Sequence, residues 1–193
     1  MDLAFLLDSS SSVGRIGYQK QIEFVGLVSR MIDVSYFGSH IGIVSYSSQA
    51  RLDIPFSESN NSHDLLFIMK DLKFLGGSAR IGHALDLAFN DLFSVSSGSR
   101  LGVPKVVVVF SYGHEPNTTD FESLSTSVEP YKAEGISVIA VGIGPNAGLQ
   151  RLRVLVENDK LVLAAHSFKE LSDLAVPITS LACRVAGKQA VNF

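Results

Sequence analysis

The segment Phe5–Gly14, FLLDSSSSVG, carries one carboxylate and a row of hydroxyls directly after an apolar run. Its Asp8, Ser10 and Ser12 form the pattern D-x-S-x-S, which presents oxygen ligands from alternate positions of one loop. Carboxylate and hydroxyl oxygens are hard ligands, suited to Mg²⁺ and Ca²⁺. The alternative is structural, because serines just before a helix serve as turn and cap hydroxyls. The segment therefore predicts either a divalent-cation loop or a serine-capped helix start.

Short apolar and β-branched runs recur along the chain and must position this loop. They predict strands buried on both faces at DLAFLLD, HIGIVSYS, KVVVVFS, GISVIAVGIG and KLVLAA. Apolar residues three to four apart, as at Ile22, Val25 and Val28, predict helices between the strands. This alternation predicts a doubly wound α/β fold with a mostly parallel central sheet and helices on both faces. Because RLDIPF follows HIGIVSYS too closely for a crossover, we expect it to form one antiparallel edge strand.

Asp8 then falls at the carboxyl end of the first strand, where ligand sites form in open α/β sheets. Together with the loop FLGGSARIGHAL and the strand VVVVFSYGHEP, this loop makes residues 2–185 resemble the von Willebrand factor type A domain. The resemblance implies a Rossmann-like fold for residues 1–185 and a metal-ion-dependent adhesion site that begins at D-x-S-x-S. We expect residues 186–193 to form a C-terminal tail or linker.

Two positions at which that family supplies further ligands differ in this chain. Ala79 stands where the family's second ligand loop, here residues 74–85, usually carries a threonine. Tyr112 stands where its third ligand loop, here beginning at Ser111, usually carries an aspartate. The resemblance therefore implies a degenerate site with no bound metal, or with weakly bound Mg²⁺ or Ca²⁺. Glu115 is the residue that would supply a substitute carboxylate.

Asp8 needs another partner if the metal is lost, because a buried carboxylate requires a counter-charge or hydrogen bonds. Arg80 is the predicted partner, since a guanidinium fork matches a carboxylate and can occupy the place of a cation. We expect the Tyr112 hydroxyl to donate to Asp8 as well. The alternative is an Arg80 side chain that points into solvent.

An enzymatic alternative is offered by Gly142–Ala147, GIGPNA, which fits the dinucleotide pattern G-x-G-x-x-A between a strand and a helix. It follows a late strand, contains Pro145, and the next strand does not end in an acidic residue. A glycine-rich turn explains it better. None of the five histidines lies in a hydrolase or metalloprotease motif. We therefore expect a protein that is not an enzyme.

Composition excludes several classes of partner. The chain has 193 residues, a net charge of −3 and no run of lysines or arginines, which argues against nucleic acid. No apolar stretch reaches a membrane-spanning length. Cys183 is the only cysteine, and we expect it to be a small buried hydrophobe. Asn60 and Asn117 begin N-x-Ser/Thr sequons, which predict N-glycosylation only in a secreted protein.

The resemblance implies a non-catalytic interaction module of a secreted, multi-domain extracellular matrix protein. Its partners would be other matrix proteins or neighbouring type A modules. The alternative is a metal-dependent receptor-type adhesion domain that captures a ligand carboxylate on Mg²⁺.

Overall fold

A computed structural model describes residues 1–59, 61–113, 119–145 and 147–191. Its single sheet has six strands in the order β3-β2-β1-β4-β5-β6. They are β1 Asp2–Asp8, β2 His40–Tyr46, β3 Ala50–Ile54, β4 Lys105–Tyr112, β5 Ser137–Ile143 and β6 Val162–Ala165. All neighbouring strands are parallel except β3, which pairs antiparallel with β2 at the edge. The predicted fold class is confirmed.

The sequence between the strands forms helices that cover both faces of this sheet. They are α1 Gly14–Met31, α2 Ser62–Ile68, α3 Ile81–Leu87, α4 Thr119–Ala133, α5 Leu149–Leu152 and α6 Ala175–Val191. Helix α1 packs on β1 and α6, whereas α3 packs on β2, β3 and α4. The central strands are buried on both sides for this reason, which explains their continuous apolar sequences.

The sheet's two ends are fixed by the register of β1. At the amino end, Asp2 lies opposite His40 of β2 and Lys105 of β4. At the carboxyl end, Asp8 lies opposite Tyr46 of β2. The loop that follows Asp8 therefore shares an edge with the segments that follow β2 and β4, as expected for parallel strands.

A buried ion pair closes the amino end of the sheet. Arg100 donates from Nε and Nη2 to Oδ1 of Asp2, at 2.9 and 2.7 Å, and its backbone N–H donates to Oδ2 at 2.8 Å. The side chain of Asp2 is fully buried, and that of Arg100 is 24% exposed. This pair joins the first strand to the segment that precedes β4.

The C-terminal residues correct two predictions. Helix α6 runs to Val191, so the expected tail or linker from residue 186 is helical through 191. Gln189 exchanges two hydrogen bonds with the backbone of Lys105 and donates to Ser137 Oγ. These bonds hold the last turn of α6 against the amino ends of β4 and β5. The second correction concerns Cys183, which is exposed because it lies on the outer face of this helix.

Candidate functional site

Asp8 is held at the carboxyl end of β1 by a side chain of α1. Gln21 accepts a hydrogen bond from Asp8 N at 2.8 Å and donates to Asp8 O at 2.8 Å. Both residues are fully buried. The amide of Gln21 thus pairs with the backbone of Asp8 as a residue of a neighbouring strand would. This pairing fixes the position of Asp8 at the end of β1.

Backbone N–H groups from two loops bind the two oxygens of this carboxylate. Ser10 N donates to Oδ1 at 3.0 Å, and Tyr112 N donates to Oδ2 at 3.1 Å. The sequence predicts that the Tyr112 hydroxyl donates to Asp8. In the structure, the Tyr112 ring instead stacks on Phe168, with ring centres 5.1 Å apart. The third loop therefore reaches Asp8 through its main chain, since the tyrosine side chain packs elsewhere.

Burial has the largest effect on the pKa of the Asp8 carboxyl. It raises the pKa of the carboxyl above its ordinary value, because an ionised carboxylate loses hydration inside the protein. Hydrogen bonds from the side chain and backbone of Ser10, and from the backbone of Tyr112, act in the opposite direction and are outweighed. The folded domain therefore binds a proton at Asp8 more tightly than the unfolded chain does.

This pKa shift predicts how stability depends on pH. The contribution of Asp8 is complete below its unfolded pKa of about 3.9 and is lost as pH rises through its higher folded pKa. Wild type should therefore gain stability relative to Asp8→Asn as pH falls from neutral towards about 4. Urea unfolding of both proteins across this range measures the difference, in which the other carboxylates cancel. A difference that is flat, or that grows with rising pH, would contradict the assignment.

The D-x-S-x-S serines pair with each other and do not cap the helix through their hydroxyls. Ser10 Oγ and Ser12 Oγ lie 2.9 Å apart. The N-cap residue of α1 is Val13, which makes no side-chain cap bond. The carbonyl of Ser10 instead accepts from Val13 N and Gly14 N, at 3.2 and 3.3 Å. The structural alternative is therefore corrected: the main chain of Ser10 performs the capping.

The two intervening serines have a role that the sequence analysis missed. Ser9 Oγ accepts from Leu75 N, and Ser11 Oγ accepts from Gly77 N, both at 2.8 Å. The backbones of the same segments are also joined, from Gly76 N to Ser9 O and from Ser11 N to Gly77 O. Alternate serines thus have different partners: Ser10 and Ser12 bind each other, whereas Ser9 and Ser11 bind the second loop. The unbroken run of four serines is the sequence feature from which this arrangement could have been predicted.

Arg80 does not contact Asp8. The only hydrogen bond described for it runs from its backbone N to Ser47 O at 3.0 Å, and its side chain is exposed. No ion pair within the described residues joins it to Asp8, so the predicted substitute contact is wrong. The reason is local: the residue that the second loop turns inwards is its neighbour, Ala79, which is buried.

The three remaining predictions fall on residues that lack a description. Glu115, Asn60 and Asn117 lie outside the described residues.

The donor set at the end of β1 fits a divalent cation poorly. It offers one carboxylate, whose oxygens already accept backbone hydrogen bonds, and the hydroxyls of Ser10 and Ser12. Ala79 has no donor atom, and only the main chain of Tyr112 reaches Asp8. Over the described ranges, no group of three or more His, Cys, Asp or Glu side chains is placed to hold a metal ion.

The turn after β5 is explained by packing. A Cβ atom at Gly142 would come within 2.6 Å of Leu149 Cδ2, and Gly144 adopts φ +96°. Both glycines are required by close approach or by backbone conformation. The dinucleotide pattern in GIGPNA therefore has a structural origin, and β6 ends at Ala165 without a carboxylate for a ribose.

A six-stranded sheet with one antiparallel edge, and a D-x-S-x-S loop at the end of β1, defines the type A class. The chain belongs to the von Willebrand factor type A domain family, whose model matches residues 2–176. It is 31% identical over 193 residues to von Willebrand factor A domain-containing protein 2 of Xenopus laevis, covering 100% of this chain and 24% of that protein. It is 37% identical over 112 residues to human cochlin, covering 58% of this chain and 20% of cochlin. The chain thus spans a quarter or less of these relatives.

Solved structures of a mussel protein share the fold. Proximal thread matrix protein 1 from the mussel byssus superposes with a TM-score of 0.86 at 27% identity, over 94% of this chain and 47% of that one. A further structure of that protein, described as having a zinc-occupied MIDAS motif, gives a TM-score of 0.83 at 26% identity, over 94% of this chain and 48% of that one. Within the described part of this chain, every helix is too short or too polar to cross a membrane.

Proposed function

We propose that this chain is a non-catalytic interaction module of the extracellular matrix whose metal-ion-dependent adhesion site is degenerate. One observation carries the proposal: the oxygens of Asp8 accept backbone N–H groups from the first and third loops. Those hydrogen bonds do what a bound ion would otherwise do, which is to connect the loops and stabilise the carboxylate. Adhesion then depends on surfaces that need no metal.

The setting of the module is part of the same proposal. A matrix protein is named among the structures that share the fold, which supports a secreted matrix location. The parent protein would be of the collagen type, because the amino-acid sequence resembles the N-terminal type A modules of the collagen VI alpha-3 chain. Its partners would be other matrix proteins or neighbouring type A modules, and Asn60 and Asn117 would carry glycans.

A second candidate is a receptor-type domain that binds a ligand carboxylate through Mg²⁺. It is favoured by the zinc-occupied motif of the mussel protein and by the proximity of Ser10 and Ser12 in this chain. The two candidates differ in one property, which is the affinity of the Asp8 loop for a divalent cation.

Calorimetric titration with Mg²⁺, Ca²⁺ and Zn²⁺ separates them. We expect no saturable heat at millimolar Mg²⁺ or Ca²⁺, because two ligand positions are Ala79 and Tyr112. Asp8→Asn is the matched control, since it removes the remaining anionic ligand and leaves every other possible cation site in place. Saturable binding that wild type shows and Asp8→Asn lacks would establish the receptor-type function instead.

A further inference from the structure

Three of the segments next to the degenerate site are basic, whereas the loop after β4, which carries Glu115, lies outside the described residues. Residues 9–20, 45–52 and 72–85 together contain five lysines or arginines and no aspartate or glutamate. Lys20 pairs with Glu23, and Arg51 pairs with Asp53, whose side chain is only 5% exposed. The other three basic residues, Arg15, Lys73 and Arg80, are exposed and form no ion pair within the described residues.

These residues lie on segments of the chain that contact one another. The Arg15 guanidinium lies 5.4 Å from the ring centre of Phe74. The second loop, which contains Phe74, donates a hydrogen bond from Gly77 N to Ser11 Oγ. The same loop is bonded to the end of β2 from Ser78 N to Ser48 Oγ at 3.0 Å, two residues before Arg80.

Apolar side chains lie among these charges. Ile16, next to Arg15, is 80% exposed, and Leu75 is 36% exposed. We call Arg15, Ile16, Lys73, Leu75 and Arg80 the basic surface. It lies on the first turn of α1 and on the second loop, which several hydrogen bonds already hold in place, so binding a partner there orders little additional chain.

The position of Arg15 is not explained by the stability of α1. The first turn of this helix contains no acidic residue and carries Arg15. Cations are unfavourable at a helix N-terminus, where the partial charge of the backbone is positive. The guanidinium of Arg15 lies over the Phe74 ring, and its exposed charge remains accessible to an external anion.

We propose that the basic surface binds an acidic segment of a partner protein directly, through Arg15 and Arg80 and without a metal ion. This inference rests on the proposed function, because it supplies the metal-independent contact which that function requires. Guanidinium groups bind carboxylates in a forked geometry, and the exposed Ile16 and Leu75 side chains offer apolar contacts. A peptide with both acidic and apolar side chains matches both features.

A sulfated polysaccharide matches the surface less well. Polyanion binding depends on dense positive charge along an extended path, whereas this surface has three cations that form no ion pair within the described residues, together with exposed apolar side chains.

The test uses a short fluorescent peptide in which glutamate alternates with leucine, with EDTA present. Fluorescence anisotropy should show saturable binding to wild type. Arg15→Gln and Arg80→Gln should each weaken binding by about tenfold, and the double variant by more. Arg184→Gln, on the exposed side of α6, changes net charge equally and should leave the affinity unchanged. The melting temperature of each variant verifies that it is folded.

Three outcomes would overturn the inference: equal binding by the double variant, equal binding of a glutamine–leucine peptide, or binding of a heparin fragment without binding of the acidic peptide. Repeating the titration with Mg²⁺ in place of EDTA tests the proposed function separately. Peptide binding that appears only with Mg²⁺ and is lost in Asp8→Asn would refute the metal-free function. Loss of arginine dependence alone would refute only the basic surface.

Discussion

Replacing Arg100 with alanine should destabilise the domain by about 3–5 kcal/mol, because it removes the guanidinium that pairs with the buried carboxylate of Asp2. Asp2 is fully buried and accepts from Arg100 Nε, Nη2 and backbone N. The variant keeps the backbone donor but loses both guanidinium bonds. Equilibrium urea unfolding measures the change as a lower midpoint at unchanged slope.

A matched surface pair shows that burial causes this effect. Lys20 and Glu23 form an ion pair of 2.7 Å on α1, but both side chains are about half exposed. Lys20→Ala should therefore cost only about 0–1 kcal/mol. Adding Asp2→Asn to Arg100→Ala should recover part of the loss, since the neutral amide removes the uncompensated charge. A loss from Arg100→Ala as small as that from Lys20→Ala would show that Asp2 is hydrated in the native state.

The strands of the sheet could be predicted from the sequence because burial strongly restricts which residue types a strand can contain. Strands covered on both faces must be apolar throughout, as in DLAFLLD and GISVIAVGIG, and edge strand β3 ends at Ile54, just before Pro55. The last turns of α6 were missed for the converse reason. Residues 186–191 are small or polar, and one amide, Gln189, holds them through hydrogen bonds that no periodicity reveals.

Within the site, the sequence located Asp8 but not its partners. A carboxylate accepts equally well from a side chain and from a backbone N–H, and the choice depends on the path of each loop. Gly76 and Gly77 adopt φ of +76° and +95°, which turns the second loop so that Ala79 is buried and Arg80 is exposed. Residue types alone do not specify that path, so the chemically better partner was predicted and the main chain was overlooked.

Restoring the two altered ligand positions should create a metal site. In Ala79→Thr/Tyr112→Asp, the new hydroxyl and carboxylate join Asp8, Ser10 and Ser12, which gives two anions and three hydroxyls. Residue 112 already bonds to Asp8 through its backbone N–H, so its new carboxylate would extend from a backbone that contacts Asp8. We expect calorimetrically measurable Mg²⁺ binding where wild type shows none.

The stability of this double variant supplies an independent readout. Without metal, two carboxylates near each other repel, and the Tyr112–Phe168 ring contact is lost, so the variant should melt below wild type. Mg²⁺ at about 100 times its dissociation constant should then add about 2.7 kcal/mol of stability. Ala79→Ser/Tyr112→Asn is the control: it makes similar changes in size but adds no anion, so Mg²⁺ should leave its melting temperature nearly unchanged. If Mg²⁺ stabilised wild type as much as the double variant, Ala79 and Tyr112 would not be the residues that disable the site. If it stabilised neither, the backbone hydrogen bonds to Asp8 would be sufficient to exclude the ion even from a complete ligand set.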